Sequence, residues 1–195
     1  YAHNLFRGKV VSRPEPGRET PYHPAHSTTV AGLATIKGGD DRFHNNIFVG
    51  PGAPGGSQPA VKDPEWTGGY GLWVYDFREY PLQVGGNVYY RGARPYAREV
   101  NPVILETDPK VDLVQAGGEF RLQFAPGAGP KRADTTLVTT ALLGKAKVPA
   151  VFYENADGSP LAVAGDYFGK KRNKSKPTPG PFEKLGFGPV VLKLR

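Results

Sequence analysis

Tyr1-Ala2-His3-Asn4-Leu5-Phe6-Arg7-Gly8 lines up with Phe43-His44-Asn45-Asn46-Ile47-Phe48-Val49-Gly50, and Asn87-Val88-Tyr89-Tyr90-Arg91-Gly92 is a looser third copy. The asparagines fall at positions 4, 46 and 87, spacings of 42 and 41, and each is followed by an aliphatic and then an aromatic residue. A fixed period of this kind marks architectures built from stacked repeats. Each copy predicts a short strand that stacks on the next, with aliphatic side chains filling the interior. The Asn side chains, placed at a turn, are expected to hydrogen-bond up and down the stack. Rungs of a parallel β-helix take about half of this period, so each copy accommodates two rungs or one rung with a long loop.

Around these copies, helical periodicity is scarce and alternation is common. The segment Thr135-Thr136-Leu137-Val138-Thr139-Thr140 is rich in β-branched residues and reads as a strand, although Asp134 could cap a short helix. Leu72-Trp73-Val74-Tyr75 also reads as a strand, with Trp73 and Tyr75 packed on one face. A second regime begins near Asn101-Pro102. Glu119–Phe124 alternates strictly, placing Phe120, Leu122 and Phe124 on one face, and Val190–Arg195 alternates with Val190, Leu192 and Leu194 inward. Ala150–Tyr153 and Leu161–Ala164 flank Asn155–Pro160, a turn with an Asp-Gly signal. One buried and one wet face is the pattern of antiparallel sheets. The expectation is an all-β chain: terminal rungs of a right-handed parallel β-helix over 1–100, then β-sandwich strands over 101–195.

Composition narrows the classes. The chain has 195 residues, 26 Gly and 20 Pro, but its 38% hydrophobic content and 22 aromatics argue for a packed core rather than a disordered chain. No apolar run approaches the ~20 residues of a membrane-spanning helix, so no membrane partner is expected. The absence of cysteine excludes disulfides, thiolate metal sites and a cysteine nucleophile. The absence of methionine, with a start that reads as the middle of a strand, suggests a segment of a longer protein. The net charge is +7, of which Lys170, Lys171, Arg172, Lys174 and Lys176 supply five. That run precedes Pro177, Pro179, Gly180 and Pro181 and reads as a solvated loop, not as a nucleic-acid surface.

Few residues invite catalytic chemistry. His23 and His26 form a His-x-x-His pair, but Pro24 interrupts the helix that would align them on a metal, so a hydrogen-bonded or sugar-contacting role is expected. Asp40 and Asp41 are adjacent, and neighbours on an extended chain point to opposite faces, so they are not placed to serve together as acid and nucleophile. The structural reading is a turn, with Asp40 accepting from backbone N–H groups and Asp41 paired with Arg42. Trp66, in a Pro/Gly-rich loop, is a candidate platform for a sugar ring. Phosphate-loop, dinucleotide-binding and Gly-x-Ser-x-Gly motifs are absent, and no cofactor or metal is expected.

Tyr22-His23-Pro24-Ala25-His26-Ser27-Thr28-Thr29-Val30-Ala31-Gly32, followed by Gly38-Gly39-Asp40-Asp41-Arg42-Phe43-His44-Asn45-Asn46-Ile47-Phe48-Val49-Gly50, resembles the C-terminal part of glycoside hydrolase family 120. The match continues more weakly through Asn87–Tyr90 with Gly92-Ala93, Tyr153-Glu154 with Asp157-Gly158, and Gly165–Tyr167. The resemblance implies a β-xylosidase with a right-handed parallel β-helix, a flanking β-sandwich and a retaining two-carboxylate mechanism. It also implies that the catalytic Asp and Glu lie upstream of this segment, so no catalytic residue is carried over. The expected partners are a xylo-oligosaccharide and the N-terminal part of the same protein. The sugar contacts are expected from His23, His26, Asp41, Arg42 and Trp66. A non-catalytic carbohydrate-binding or structural module, or part of a polysaccharide lyase, is the alternative.

Overall fold

A computed structural model describes residues 1–52, 67–186 and 188–194. The expectation for Trp66 therefore lies outside the described residues. In chain order the strands are β1 (Leu5–Arg7), β2 (Val10–Ser12), β3 (Glu15–Tyr22), β4 (Gly32–Ile36), β5 (Arg42–His44), β6 (Ile47–Val49) and β7 (Thr67–Gly69). They continue as β8 (Gln83–Gly85), β9 (Val88–Tyr90), β10 (Val103–Leu105), β11 (Asp112–Ala116), β12 (Glu119–Phe124) and β13 (Val190–Leu194). Among the described residues there are also two single-turn α-helices, α1 (Gly129–Arg132) and α2 (Thr140–Leu143), and a 3-10 turn at Trp73–Tyr75. The fold is all-β.

The three sequence copies stack. β1, β6, β9 and β10 form one parallel sheet in that order, with Leu5 opposite Ile47, Ile47 opposite Val88, and Val88 opposite Val103. β5 and β8 pair in parallel beside it, and Ala2 extends that second sheet by a bridge to His44. The chain turns from one sheet to the other through His3, Asn45 and Gly86, whose φ values are +57°, +58° and +68°. An αL residue reverses direction in one step, and Asn tolerates it better than most side chains because it can bond locally. Asn101, with φ +52°, makes the same bend before β10, so the stack runs on past residue 100 to Leu105.

The ladder asparagines occupy the position after each bend. The Asn46 side-chain oxygen accepts from the Asn4 backbone N–H at 2.9 Å and from the Asn4 amide at 3.1 Å. Asn87 repeats the arrangement toward Asn46 at 2.9 and 3.0 Å. The next equivalent position is Pro102, which cannot continue the ladder. Glu99 takes its place: its carboxylate accepts from the Asn87 amide at 2.8 Å, from the Asn87 backbone N–H and from the Tyr89 hydroxyl. Asn46 and Asn87 are buried, so these bonds satisfy backbone groups that have no access to water.

Both faces of the parallel sheet are covered. Phe6, Phe48 and Tyr89 stack with ring centroids 4.8 and 5.1 Å apart, close to the ~4.7–4.9 Å spacing of adjacent strands. These rings face Phe43 of β5 together with Trp73, Val74 and Tyr75. The space shared by the two parallel sheets is thus aromatic, whereas aliphatic filling was expected. Ile47, Val49, Val88 and Val103 point the other way, onto Leu122 and Phe124 of β12. This follows from the two-residue period of a strand: Phe43 and Phe48 converge, so their neighbours diverge.

β11, β12 and β13 form an antiparallel sheet, with Leu113, Leu122 and Leu192 in register. Leu122 and Phe124 are buried as their alternation predicts, but Phe120, beside the Gly117-Gly118 turn, is 46% exposed. The layer opposite this sheet is the parallel stack itself.

Much of the remainder departs from the strand expectations. Leu72–Tyr75 forms a buried 3-10 turn over Trp73–Tyr75. All of its side chains are covered, and a short apolar run buried on every side has no periodicity to separate strand from helix. The β-branched run at 135–140 ends in a helix: the Thr139 hydroxyl accepts from the Leu142 N–H at 3.3 Å and caps α2. The Asp-Gly turn forms, with Asn155 donating to the Ser159 carbonyl, but its flanks make only single bridges and Ala162 pairs with Thr139.

The basic run is not simply a solvated loop. Arg172 is buried and donates to the carbonyls of Gly165, Thr178, Gly180 and Pro181 at 3.0–3.3 Å. It also faces Glu183 at 3.6 Å, with both side chains almost fully covered.

Candidate functional site

The β3–β4 hairpin rises from the stack and walls one side of a cleft of about 380 Å³. Tyr22, Lys37, Asp41, Tyr75, Tyr80 and Pro149 are among the residues that line it. The floor is shaped at Gly38-Gly39, with φ of +75° and +86°. A Cβ on Gly39 would stand 1.9 Å from the Tyr80 carbonyl oxygen, so only glycine lets the two segments meet.

Asp41 is the group with distinctive chemistry in this cleft. Burial pushes its carboxyl above the ordinary carboxylate range, against the opposing pull of the nearby Tyr75 hydroxyl. Burial and the Asp41 charge push the Tyr75 phenol up in turn, so it stays protonated. A half-buried carboxylate beside a buried phenol in a cleft of ligand size is an arrangement suited to an acid–base or nucleophilic centre.

Asp40 is committed elsewhere. Its side chain accepts from the Lys147 N–H at 2.6 Å and pairs with Arg42 at 2.5 Å. The Arg42 partner is therefore Asp40 rather than Asp41. The remaining Arg42 donors go to the carbonyls of Leu143 at 3.0 Å and Lys145 at 2.5 Å, and the guanidinium lies over the Tyr153 ring at 4.9 Å. Arg42 ties β5 to the segment after α2.

The two histidines sit in the loop that joins β3 to β4. His23 Nδ1 is 3.0 Å from the Thr29 carbonyl oxygen, a contact within the loop. His26 bonds Glu154 through Nε2 at 2.7 Å and anchors the loop to the 155–160 turn. Of the residues expected to touch sugar, Asp41 lines the cleft, Arg42 lies behind it, and His23 and His26 lie on the hairpin loop. Tyr75 was read only as core, because nothing in a buried aromatic's sequence context reports what its hydroxyl will reach. Tyr80 and Lys37 were not singled out; the signal available for them was the Gly38-Gly39 turn.

Among the described residues no helix is long and apolar enough to cross a membrane, and no group of three or more His, Cys, Asp or Glu side chains is placed to hold a metal ion.

No family model matches the chain, and no curated protein matches it. A solved structure, the complex of XylC with xylose, matches the whole of this chain with a TM-score of 0.85 and 27% sequence identity. The chain spans about a third, 32%, of the length of that protein. At this identity over every residue, the chain is similar to one part of a xylose-binding protein in both fold and sequence.

Proposed function

We propose that this chain is the C-terminal part of a glycoside hydrolase that releases xylose from xylo-oligosaccharides by a retaining two-carboxylate mechanism. The observation that carries the reading is the end-to-end similarity to a protein solved with xylose bound. It agrees with the resemblance of residues 22–50 to glycoside hydrolase family 120. In this reading the parallel stack forms the last rungs of a right-handed parallel β-helix, and the antiparallel sheet is a flanking β-sandwich layer.

The cleft sharpens the assignment of roles. Asp41 is the carboxylate that meets the sugar, and its half-buried place beside Tyr75 in the cleft makes it a candidate for one of the two catalytic groups. This revises the expectation that both groups lie upstream. A retaining pair stands ~5–5.5 Å apart. Asp40, the other carboxylate lining the cleft, is held by Arg42 and Lys147, so the second group comes from outside the described residues. Tyr22 brings an aromatic ring to the cleft wall for the apolar side of a pyranose, whereas the Tyr80 ring lies under the ammonium groups of Lys37 and Lys147. His23, His26 and Arg42 act by holding the cleft walls, and Trp66 remains a candidate platform.

The test is Asp41→Asn in the longest natural chain that carries these residues, assayed on aryl β-xylosides and xylobiose. The expected result is a loss of kcat/KM of about a thousandfold with melting within a few degrees of the parent. Activity retained within a few-fold would remove Asp41 from catalysis. An inactive parent protein would leave a non-catalytic carbohydrate-binding module.

A further inference from the structure

A second concavity, of about 460 Å³, lies between the segment around α1 and the 173–186 loop, and it shares no lining residue with the cleft. Lys131, Lys176 and Lys184 line it together with Asn173, Thr178 and Glu183. The one acidic side chain among its described lining residues is already engaged. Glu183 accepts from the N–H groups of Thr178 at 2.9 Å and Asn173 at 3.4 Å, and it faces the Arg172 guanidinium at 3.6 Å. Its charge is thus balanced by a buried cation behind the pocket wall, and the face turned to solvent is positive.

The loop that presents Lys176 and Lys184 is also fixed. Arg172 bonds four carbonyls beneath it, Asn173 accepts from the N–H groups of Ser175 and Lys176, and Asp166 accepts from the Glu183 N–H. Ordering a basic loop costs conformational entropy, and here that cost is met by folding rather than at the moment of binding.

We propose that this pocket is a binding site for an acidic saccharide, a uronic-acid-bearing chain whose carboxylate is held by Lys176 and Lys184. Ammonium groups suit a carboxylate as mobile point donors, and the Asn173 amide and Thr178 hydroxyl suit ring hydroxyls. A strand of nucleic acid is disfavoured because no aromatic side chain is among the described lining residues, and single-stranded bases need such platforms. The site is separate from the cleft proposed for neutral xylo-oligosaccharide, so one molecule would hold an acidic region of a polymer while acting on a neutral one.

The test is calorimetric titration of the full chain with a tetramer of galacturonic acid, with xylotetraose and inorganic sulfate as comparators. The uronate tetramer is expected to bind, to weaken with added salt, and to bind about tenfold or more weakly to K176A/K184A. Hydrolysis of an aryl β-xyloside by the same variant is expected to be unchanged, which separates failure here from failure of the cleft assignment. Absence of uronate binding, equal affinity for sulfate, or full retention by the double variant would each overturn the proposal.

Discussion

In the parallel stack, Asn46 serves the backbone of the rung before it and is served by Asn87 in the rung after it. In the flank, Arg172 gathers four carbonyls from two separate turns, and Asp166 accepts from the N–H groups of Phe168, Lys170 and Glu183. Both devices satisfy backbone groups that regular hydrogen bonding leaves over. The first repeats, so each bond is nearly the same bond again. The second is a hub, in which one side chain substitutes for a ladder that the local backbone never forms. A repeated device spreads its contribution over several residues, whereas a hub concentrates it.

That contrast is broken most directly at Arg172. Arg172→Ala leaves Glu183 charged and buried without its cation, and loss of one member of such a pair typically costs about 3–5 kcal/mol. Urea unfolding monitored by hydrogen exchange should show amides of 165–184 losing protection well before those of Ile47 and Val88. Simultaneous loss across both regions would mean that the hub also supports the stack.

At the ladder a smaller effect is expected. Asn46→Ala removes the acceptor for Asn4 and the donor to Asn87, and should cost about 2–3 kcal/mol, as read from the urea midpoint. Asn46→Asp keeps the acceptor toward Asn4 and has a donor toward Asn87 only when protonated, so it should fall between the parent and the alanine variant at low pH.

The smallest effect, and the most diagnostic, concerns Glu99. Burial raises its carboxyl pKa above the ordinary 4.5, despite the hydrogen bonds it accepts from Tyr89 and Asn87. The folded state therefore holds the proton more tightly than the unfolded chain does. The associated stability is fully present below 4.5 and is lost as pH rises through the folded value. Glu99→Gln, which keeps an acceptor for Asn87, should lie within about 1 kcal/mol of the parent at pH 7. As the pH falls toward 4.5 the parent should gain on the variant. Parallel curves at pH 7 and pH 5 would show that Glu99 titrates alike in both states.

The same contrast separates what could be read in the sequence from what could not. Asn4, Asn46 and Asn87 announced the stack because a ladder needs one residue type at one interval, and the expected register of Leu5, Ile47 and Val88 was found. The strands β12 and β13 were legible for a similar reason, through the two-residue alternation of one wet face. Arg172 was not, because a hub has no period and its basic neighbours disguised it as surface. Glu99 escaped notice because it stands in for Asn at a point where the chain has Pro102. In the cleft, Gly38-Gly39 and Asp41 were visible as a turn and an acidic residue. The approach of Tyr75 to Asp41 depends on a 3-10 turn more than thirty residues away in sequence.

Along the ladder each side-chain amide donates toward the next copy, from Asn4 to Asn46, from Asn46 to Asn87, and from Asn87 to Glu99. The amide dipoles are therefore aligned, with their positive ends all directed toward residue 99. Aligned peptide dipoles favour an anion at the positive end of a helix, and a row of side-chain amides has the same polarity. Glu99 thus sits where a local field partly offsets its burial, although no cation is among its hydrogen-bond partners. An Asn87→Leu variant, which interrupts the row, should push the Glu99 carboxyl further toward its protonated form than the loss of a single donor at Tyr89→Phe.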